Sequence, residues 1–385
     1  MSKTILFFDL NVMGLARYPL QIANQINTST DDNKFYFLYE EDPSEKLHDF
    51  SQSSPDNSTI VKVKNNSQKS IQKLLLELAP DILIVMAQRV PDSALVAIAN
   101  KLGIQTVMLQ HGLYVPFMKK NNSIFISKMY KALRYLQYSI TVAKTINQTP
   151  FKVCWAYFNI FTKGKKITQY DLPLKKINTS KVLVYGDYWK RYHQSEFGYS
   201  LEQQIIVGYP DLDQLNAIKQ NPQEDAVCYI CQTLVEDDRL PRSNMERFIQ
   251  LLCANIGNRK LYIKLHPRSD ITLYNPLKGK NNVIFLNKKF PHCNKYIGHY
   301  SSLIAMGMHL TNNIFLWKFD NHNEYPTYLT NNAWSLSNNV NEFRFFLELE
   351  ADMAKKNCLN DYFYYEKKTN PINKIIKHLN LEDEC

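Results

Sequence analysis

The sequence predicts an α/β protein made of two doubly wound domains facing a central cleft. Three observations lead there. Short apolar runs alternate with amphipathic stretches through most of the chain. A polar segment, Asp213–Glu224, lacks apolar periodicity and interrupts the alternation. And 385 residues exceed what one compact core usually holds. The division is placed at residues 1–215 and 216–385.

In the first half, Thr4–Leu10 (TILFFDL) reads as a strand, followed by an amphipathic stretch that starts after Gly14 and covers Leu15–Ile26. Lys34–Tyr39 and Thr59–Val63 read as strands, and Ser70–Leu78 as a helix stopped by Pro80. Asp81–Met86 is a continuous apolar strand. Asp92–Leu102 is a helix with Asp92 or Ser93 at its N-cap, and Thr106–Leu109 the next strand. Lys181–Tyr185 and Gln204–Val207 resume the series after a basic, aromatic interruption. Such apolar strands between helices predict a parallel sheet covered on both faces.

The second half repeats the architecture without repeating the sequence. Ala226–Ile230, Lys260–Leu265, Asn282–Leu286, Lys295–Ile297 and Asn313–Trp317 read as strands. Asn244–Ile256 and Ser301–His309 read as helices, and the last forty residues as helical and aromatic.

The net charge of +10 is concentrated. Lys119–Ser180 holds twelve Lys or Arg against one acid, Asp171, so the rest is close to neutral. Phe125, Tyr130, Tyr135, Tyr138, Phe151, Trp155, Tyr157, Phe158 and Phe161 lie among those bases. This mixture suits an anionic lipid surface or nucleic acid, or else a solvated basic face over a buried aromatic stripe. No nucleic-acid module motif accompanies it, which favours an anionic membrane surface over nucleic acid as the partner. No run approaches the roughly 18 apolar residues of a membrane span, and no cleavable leader is recognised, so a cytoplasmic protein is expected. Seven scattered cysteines suit free thiols. The lone CxxC of Cys228 and Cys231 lacks a second pair at zinc spacing, and no metal is expected.

Ligands of doubly wound domains bind beyond the carboxyl ends of the strands. Gln110-His111-Gly112 follows TVML: His111 is placed to act as a general base, with Gln110 and Gly112 as loop contacts, or is a structural loop histidine. Lys264, His266, Pro267 and Arg268 end the strand KLYIKL, where strand periodicity puts Lys264 and His266 on one side to meet a phosphate. His299, Ser301 and Ser302 precede an apolar helix whose first turn suits an anion, or is an ordinary serine cap. Gln232 and the acids Glu236-Asp237-Asp238 follow the strand AVCYI. Glu236 would steer an acceptor hydroxyl or hold His111 in its useful tautomer, or is part of a solvated loop.

The ordered set QHG, VLVYGDYWK, IIVGYPDLD, YICQTLVED, KLHPR and YIGHYSSLIAMG resembles bacterial polysaccharide glycosyltransferases of the GT-B fold that use cytidine-nucleotide donors. That group includes polysialyltransferases and capsule or lipopolysaccharide transferases, with teichoic-acid glycerophosphotransferases more distant. The resemblance implies that His266, Ser301 and Ser302 bind the donor phosphate and that His111 is the base. It implies transfer of a sialic acid or other nonulosonic acid from a CMP donor to a saccharide acceptor, without a metal cofactor, on the inner face of the cytoplasmic membrane. The family's acidic motif ends in Gly where this chain has Asp238, which puts the role of Glu236 in question. A CDP-glycerol or CDP-ribitol polyol-phosphate transferase, a UDP-sugar enzyme such as an epimerase, and a non-catalytic basic binding protein are the alternatives.

Overall fold

The computed structural model describes residues 2–29, 32–40, 53–112, 125–319, 325–350, 359–365 and 370–379. The chain forms two compact units. The first is Met1–His111, Ile124–Pro210 and Lys368–Cys385; the second is Gly112–Ser123 and Asp211–Lys367.

The first unit is built on a seven-stranded parallel sheet: β1 (Thr4–Asp9), β2 (Lys34–Tyr39), β3 (Ser58–Lys62), β4 (Ile82–Val85), β5 (Gln105–Leu109), β6 (Lys181–Val184) and β7 (Gln204–Ile206), in the order β3-β2-β1-β4-β5-β6-β7. Its central strands are mostly apolar because helices cover both faces; all four residues of β4 are apolar and buried. The second unit has a six-stranded parallel sheet: β8 (Glu224–Ile230), β9 (Lys260–Lys264), β10 (Val283–Leu286), β11 (Cys293–Gly298), β12 (Ile314–Trp317) and β13 (Ser335–Ser337), in the order β10-β9-β8-β11-β12-β13. Counted from their own first strands, the second sheet runs 3-2-1-4-5-6 and the first runs the same way with a seventh strand added at its edge. In each, the winding direction reverses between the first and fourth strands, at β1/β4 and at β8/β11.

The structure departs from the sequence expectations in four places. The polar stretch expected as a linker carries a short helix, Leu215–Gln220, after a 3₁₀ turn at Pro210–Gln214. Leu212, Leu215 and Ile218 are buried there, and their three-residue spacing was the helical signal. Secondly, the helix after β4 starts at Val90, so Asp92 sits in its first turn, where its Oδ2 accepts from the Arg89 backbone N–H at 3.0 Å. Thirdly, β13 is a three-residue edge strand with one apolar residue, too little pattern to be legible. Finally, the end of the chain returns to the first unit. The helix Pro371–His378 lays Ile372, Ile375 and Ile376 into the core that holds Ile22 and Ile26, a burial worth roughly 5 kcal/mol before ordering costs. Local periodicity predicts such a helix but not the sheet that receives it.

The basic, aromatic segment is helical: Phe125–Ile146 and Pro150–Lys163 pack against each other, followed by a short helix, Leu174–Ile177. Lys119 and Lys120, and the side chains of Phe125 and Tyr130, lie outside the described residues. Among the described residues no helix is long and apolar enough to cross a membrane. The described cysteines are free thiols; Cys228 and Cys231 are buried, and burial pushes Cys231 up to about 12.

Candidate functional site

In the first unit four side chains meet at the reversal point of the sheet. Asp9 ends β1, Arg89 and Asp92 follow β4, and His111 lies two residues beyond β5. Arg89 donates to Asp92 through Nε at 2.7 Å and Nη2 at 3.0 Å, a two-pronged pair, and through Nη1 to Asp9 at 3.1 Å. Asp9 is buried and Asp92 wholly so. Burial alone would raise the Asp9 carboxyl. Arg89 and His111 outweigh that and hold it below the usual carboxylate value, so Asp9 is ionised at neutral pH. The Arg89 guanidinium is in turn held charged by Asp92 and Asp9, against the cost of its burial.

The other Asp9 oxygen, Oδ2, lies 3.6 Å from His111 Nδ1. That is a contact just longer than a hydrogen bond, a separation common in catalytic pairs without substrate. A proton carried on Nδ1 would face this carboxylate and leave the Nε2 lone pair for an incoming hydroxyl. The His111 ring also packs edge-on to buried Tyr18, with centroids 5.6 Å apart. Gly14 is required here, because a Cβ at that position would run into the Asp9 carboxylate. Gly112 has φ +74, a left-handed turn natural to glycine, with open space beside it.

Gln110 is buried, and its Oε1 accepts from the Tyr185 backbone N–H at 3.0 Å, tying the end of β5 to the end of β6. Gln232 makes the corresponding latch in the second unit: its Oε1 accepts from Tyr300 N at 3.1 Å, bridging the ends of β8 and β11.

Beyond that latch two loops of the second unit clasp each other. Arg268 Nη1 donates to Asp237 at 2.9 Å and its Nη2 to Thr233 at 3.3 Å, and Thr233 Oγ1 donates to Asp237 at 2.9 Å. Although its partial burial opposes this, Arg268 and Thr233 hold the Asp237 carboxyl below its ordinary value. Glu236 Oε1 accepts from the Asp270 N–H at 2.6 Å, while its Oε2 is shielded from solvent. Through Oε1, Glu236 braces the His266 loop. Asp238 has φ 55, the left-handed conformation that glycine favours. A short polar side chain tolerates that region, so aspartate can hold the turn without glycine.

The His266 loop is shaped by its own backbone. His266 N donates to Ser269 Oγ at 3.0 Å, and Arg268 N donates to His266 Nδ1 at 3.1 Å. With Nδ1 accepting, the proton sits on Nε2, and the exposed ring presents a donor suited to a phosphate oxygen. Pro267, with no N–H, occupies the intervening bend.

Lys264 does not share that side. The strand ends at Lys264, whose side chain is buried, and its Nζ donates to the Asn287 carbonyl at 2.6 Å; burial lowers its affinity for the proton. His299 is a second correction. It is fully buried, with Nε2 3.0 Å from the Tyr229 hydroxyl and Nδ1 3.0 Å from the Trp317 carbonyl, so it is a core hydrogen-bonding residue. Ser301 Oγ accepts from Leu303 N at 3.2 Å, and Ser302 is partly exposed beside it. The helix they precede is short, Ile304–Leu310, and its first turn is wound tightly by Ile304 N to Ser301 O and Ala305 N to Ser302 O bonds.

Asp9, Arg89 and Asp92 were missed as site residues in the sequence. Asp9 had the signal shared by the motifs that were found, a polar residue at the carboxyl end of an apolar strand. Arg89 and Asp92 had only their position after β4 and beside Pro91. Among the described residues no cluster of three or more His, Cys, Asp or Glu is arranged to hold a metal ion.

No family model matches the chain. No curated protein matches it in sequence either. Solved structures do match over its whole length. UDP-GlcNAc 2-epimerase from Methanocaldococcus jannaschii, in complex with UDP-GlcNAc and UDP, is similar at a TM-score of 0.52 and 12% identity, over 99% of this chain and 100% of that one. UDP-GlcNAc 2-epimerase from Neisseria meningitidis, bound to UDP-GlcNAc, is similar at 0.50 and 11% identity, over 99% of this chain and 100% of that one. At that identity the likeness establishes the fold: two doubly wound domains of the GT-B type, as the sequence predicted.

Proposed function

We propose that the protein is a glycosyltransferase that moves a sugar from a nucleotide donor onto a saccharide hydroxyl, with His111 as the base. The observation that carries this reading is the pairing of ionised, buried Asp9 with His111 at the carboxyl ends of the strands. An imidazole oriented by a fixed carboxylate can take a proton from a hydroxyl and is stabilised as it does so.

In the reaction, the acceptor O–H gives its proton to His111 Nε2. The oxygen forms a bond to the anomeric carbon, and the carbon–phosphate oxygen bond breaks. The nucleotide leaves with the electron pair, its charge met by His266 and the serine turn at Ser301 and Ser302. Asp9 does not take the proton; it keeps the ring oriented and favours the imidazolium that forms.

The finer assignment of the donor is a CMP-activated nonulosonic acid, supported by the ordered motifs around His111, Glu236, His266 and the paired serines. A capsule or lipopolysaccharide glycan is the matching acceptor class. The second reading is a UDP-sugar enzyme, favoured by the likeness in fold to epimerases that bind UDP-GlcNAc. Incubation with CMP-nonulosonic acid and a saccharide acceptor separates the two. Acceptor-dependent release of CMP, slowed by about 10²–10⁴ in His111→Ala, is expected. Conversion of a UDP-sugar without any acceptor would replace the transferase reading with the epimerase one.

A further inference from the structure

The helix Pro150–Lys163 turns its aromatic residues in two directions. Val153, Ala156 and Tyr157 are buried. Phe151, Trp155, Phe158 and Phe161, spaced as one stripe along the helix, are 80%, 50%, 54% and 65% exposed. Soluble surfaces carry single exposed apolar residues routinely, but a run of four large rings on one face is an interaction surface. Leu133 and Leu136 of the neighbouring helix Phe125–Ile146 are also exposed.

The rings form a ladder. Phe151 stacks on Trp155 with centroids 6.4 Å apart, and Trp155 on Phe158 at 5.9 Å. A cation lies over it, Lys163 Nζ 5.6 Å from the Trp155 ring centre, and Lys144, Lys165, Lys175 and Lys176 of the same basic segment are exposed. Asp171, the single acid between Lys119 and Ser180, is paired with Lys152 at 2.7 Å. We propose that this face docks on an anionic lipid bilayer, the rings entering the headgroup layer and the lysines meeting acidic headgroups. Rings stacked on one another do not offer their faces to nucleic-acid bases as splayed aromatics do. A second copy would set two strongly basic faces against each other, which like-charge repulsion opposes. The inference is independent of which donor the enzyme uses.

The test is co-sedimentation of the full chain with vesicles of phosphatidylcholine alone and of phosphatidylcholine mixed with phosphatidylglycerol, read together with tryptophan emission. Of the four tryptophans, Trp155 is the one on this face, so a blue shift on binding that Trp155→Phe removes marks ring insertion. Binding to the anionic vesicles, lowered about tenfold or more by Phe158→Ser with Phe161→Ser at an unchanged melting temperature, is the expected result. The charge reversals Lys163→Glu and Lys165→Glu are expected to lower it by a similar factor, and salt to weaken it. Equal binding by the serine variant, no preference for phosphatidylglycerol, or a dimer that the serine variant dissolves would each overturn the proposal.

Discussion

The two units wind their strands in the same order, yet they fill the point where the winding reverses with opposite chemistry. In the first, a half-buried arginine and two buried aspartates form a charged network, and one of the aspartates, Asp9, faces a histidine. In the second, a neutral amide, Gln232, joins the same two strand ends, and the charged residues Asp237 and Arg268 are displaced outward into loops. The fold supplies the location in both; the residues at the strand ends decide what happens there. A rigid, charge-locked base suits proton transfer, and an exposed loop with an outward imidazole N–H suits a phosphate that must arrive and depart.

Exchanging the effects of the two halves would break this contrast. The largest expected effect is on His111→Ala: turnover falls by about 10²–10⁴ with donor affinity nearly unchanged. Asp9→Asn should approach the same loss with KM little altered, because it misorients the ring without touching the His266 loop. His266→Ala should instead weaken nucleotide binding and turnover together, seen by calorimetry and steady-state kinetics.

Next comes a pH effect confined to the first unit. His193 is buried with Nδ1 2.7 Å from the Trp189 carbonyl, and burial lowers its pKa from 6.5 to about 4. The unfolded chain therefore binds a proton that the folded chain refuses. Stability falls as pH drops from 6.5 towards 4, by on the order of 3 kcal/mol. Denaturant unfolding of wild type and His193→Gln across that window checks it, the variant losing the dependence.

The smallest effects belong to the second unit's loops. Arg268→Ala removes a pair in which the arginine is exposed and Asp237 half-buried, and should cost about 1 kcal/mol, while loosening the His266 loop. Asp238→Gly should change stability by less than about 1 kcal/mol, and Asp238→Val should cost roughly 1–2 kcal/mol, because a β-branched residue resists a positive φ. Thermal melts distinguish the pair.

The fold was largely legible in the sequence because apolar strands buried on both faces are continuous runs, and such runs need no partner to be recognised. Lys34–Tyr39 came out residue for residue. Long-range docking was not legible, as with the return of Pro371–His378 to the first sheet. At the site, residues adjacent in sequence were found and the ones brought together by the sheet were missed. His111 announced itself beside Gly112, but its partner Asp9 stands about a hundred residues earlier. Strand-end position also misled. His299 has the same outline as His266 in the sequence, and only packing reveals that one faces Tyr229 and the other solvent.

The division of labour is tested most directly by titrating wild type, His111→Ala and His266→Ala calorimetrically with CMP, CDP, UMP and UDP. Cytidine-selective binding that His111→Ala keeps and His266→Ala loses is the predicted result. A preference for uridine nucleotides, or binding lost in His111→Ala and kept in His266→Ala, would contradict it.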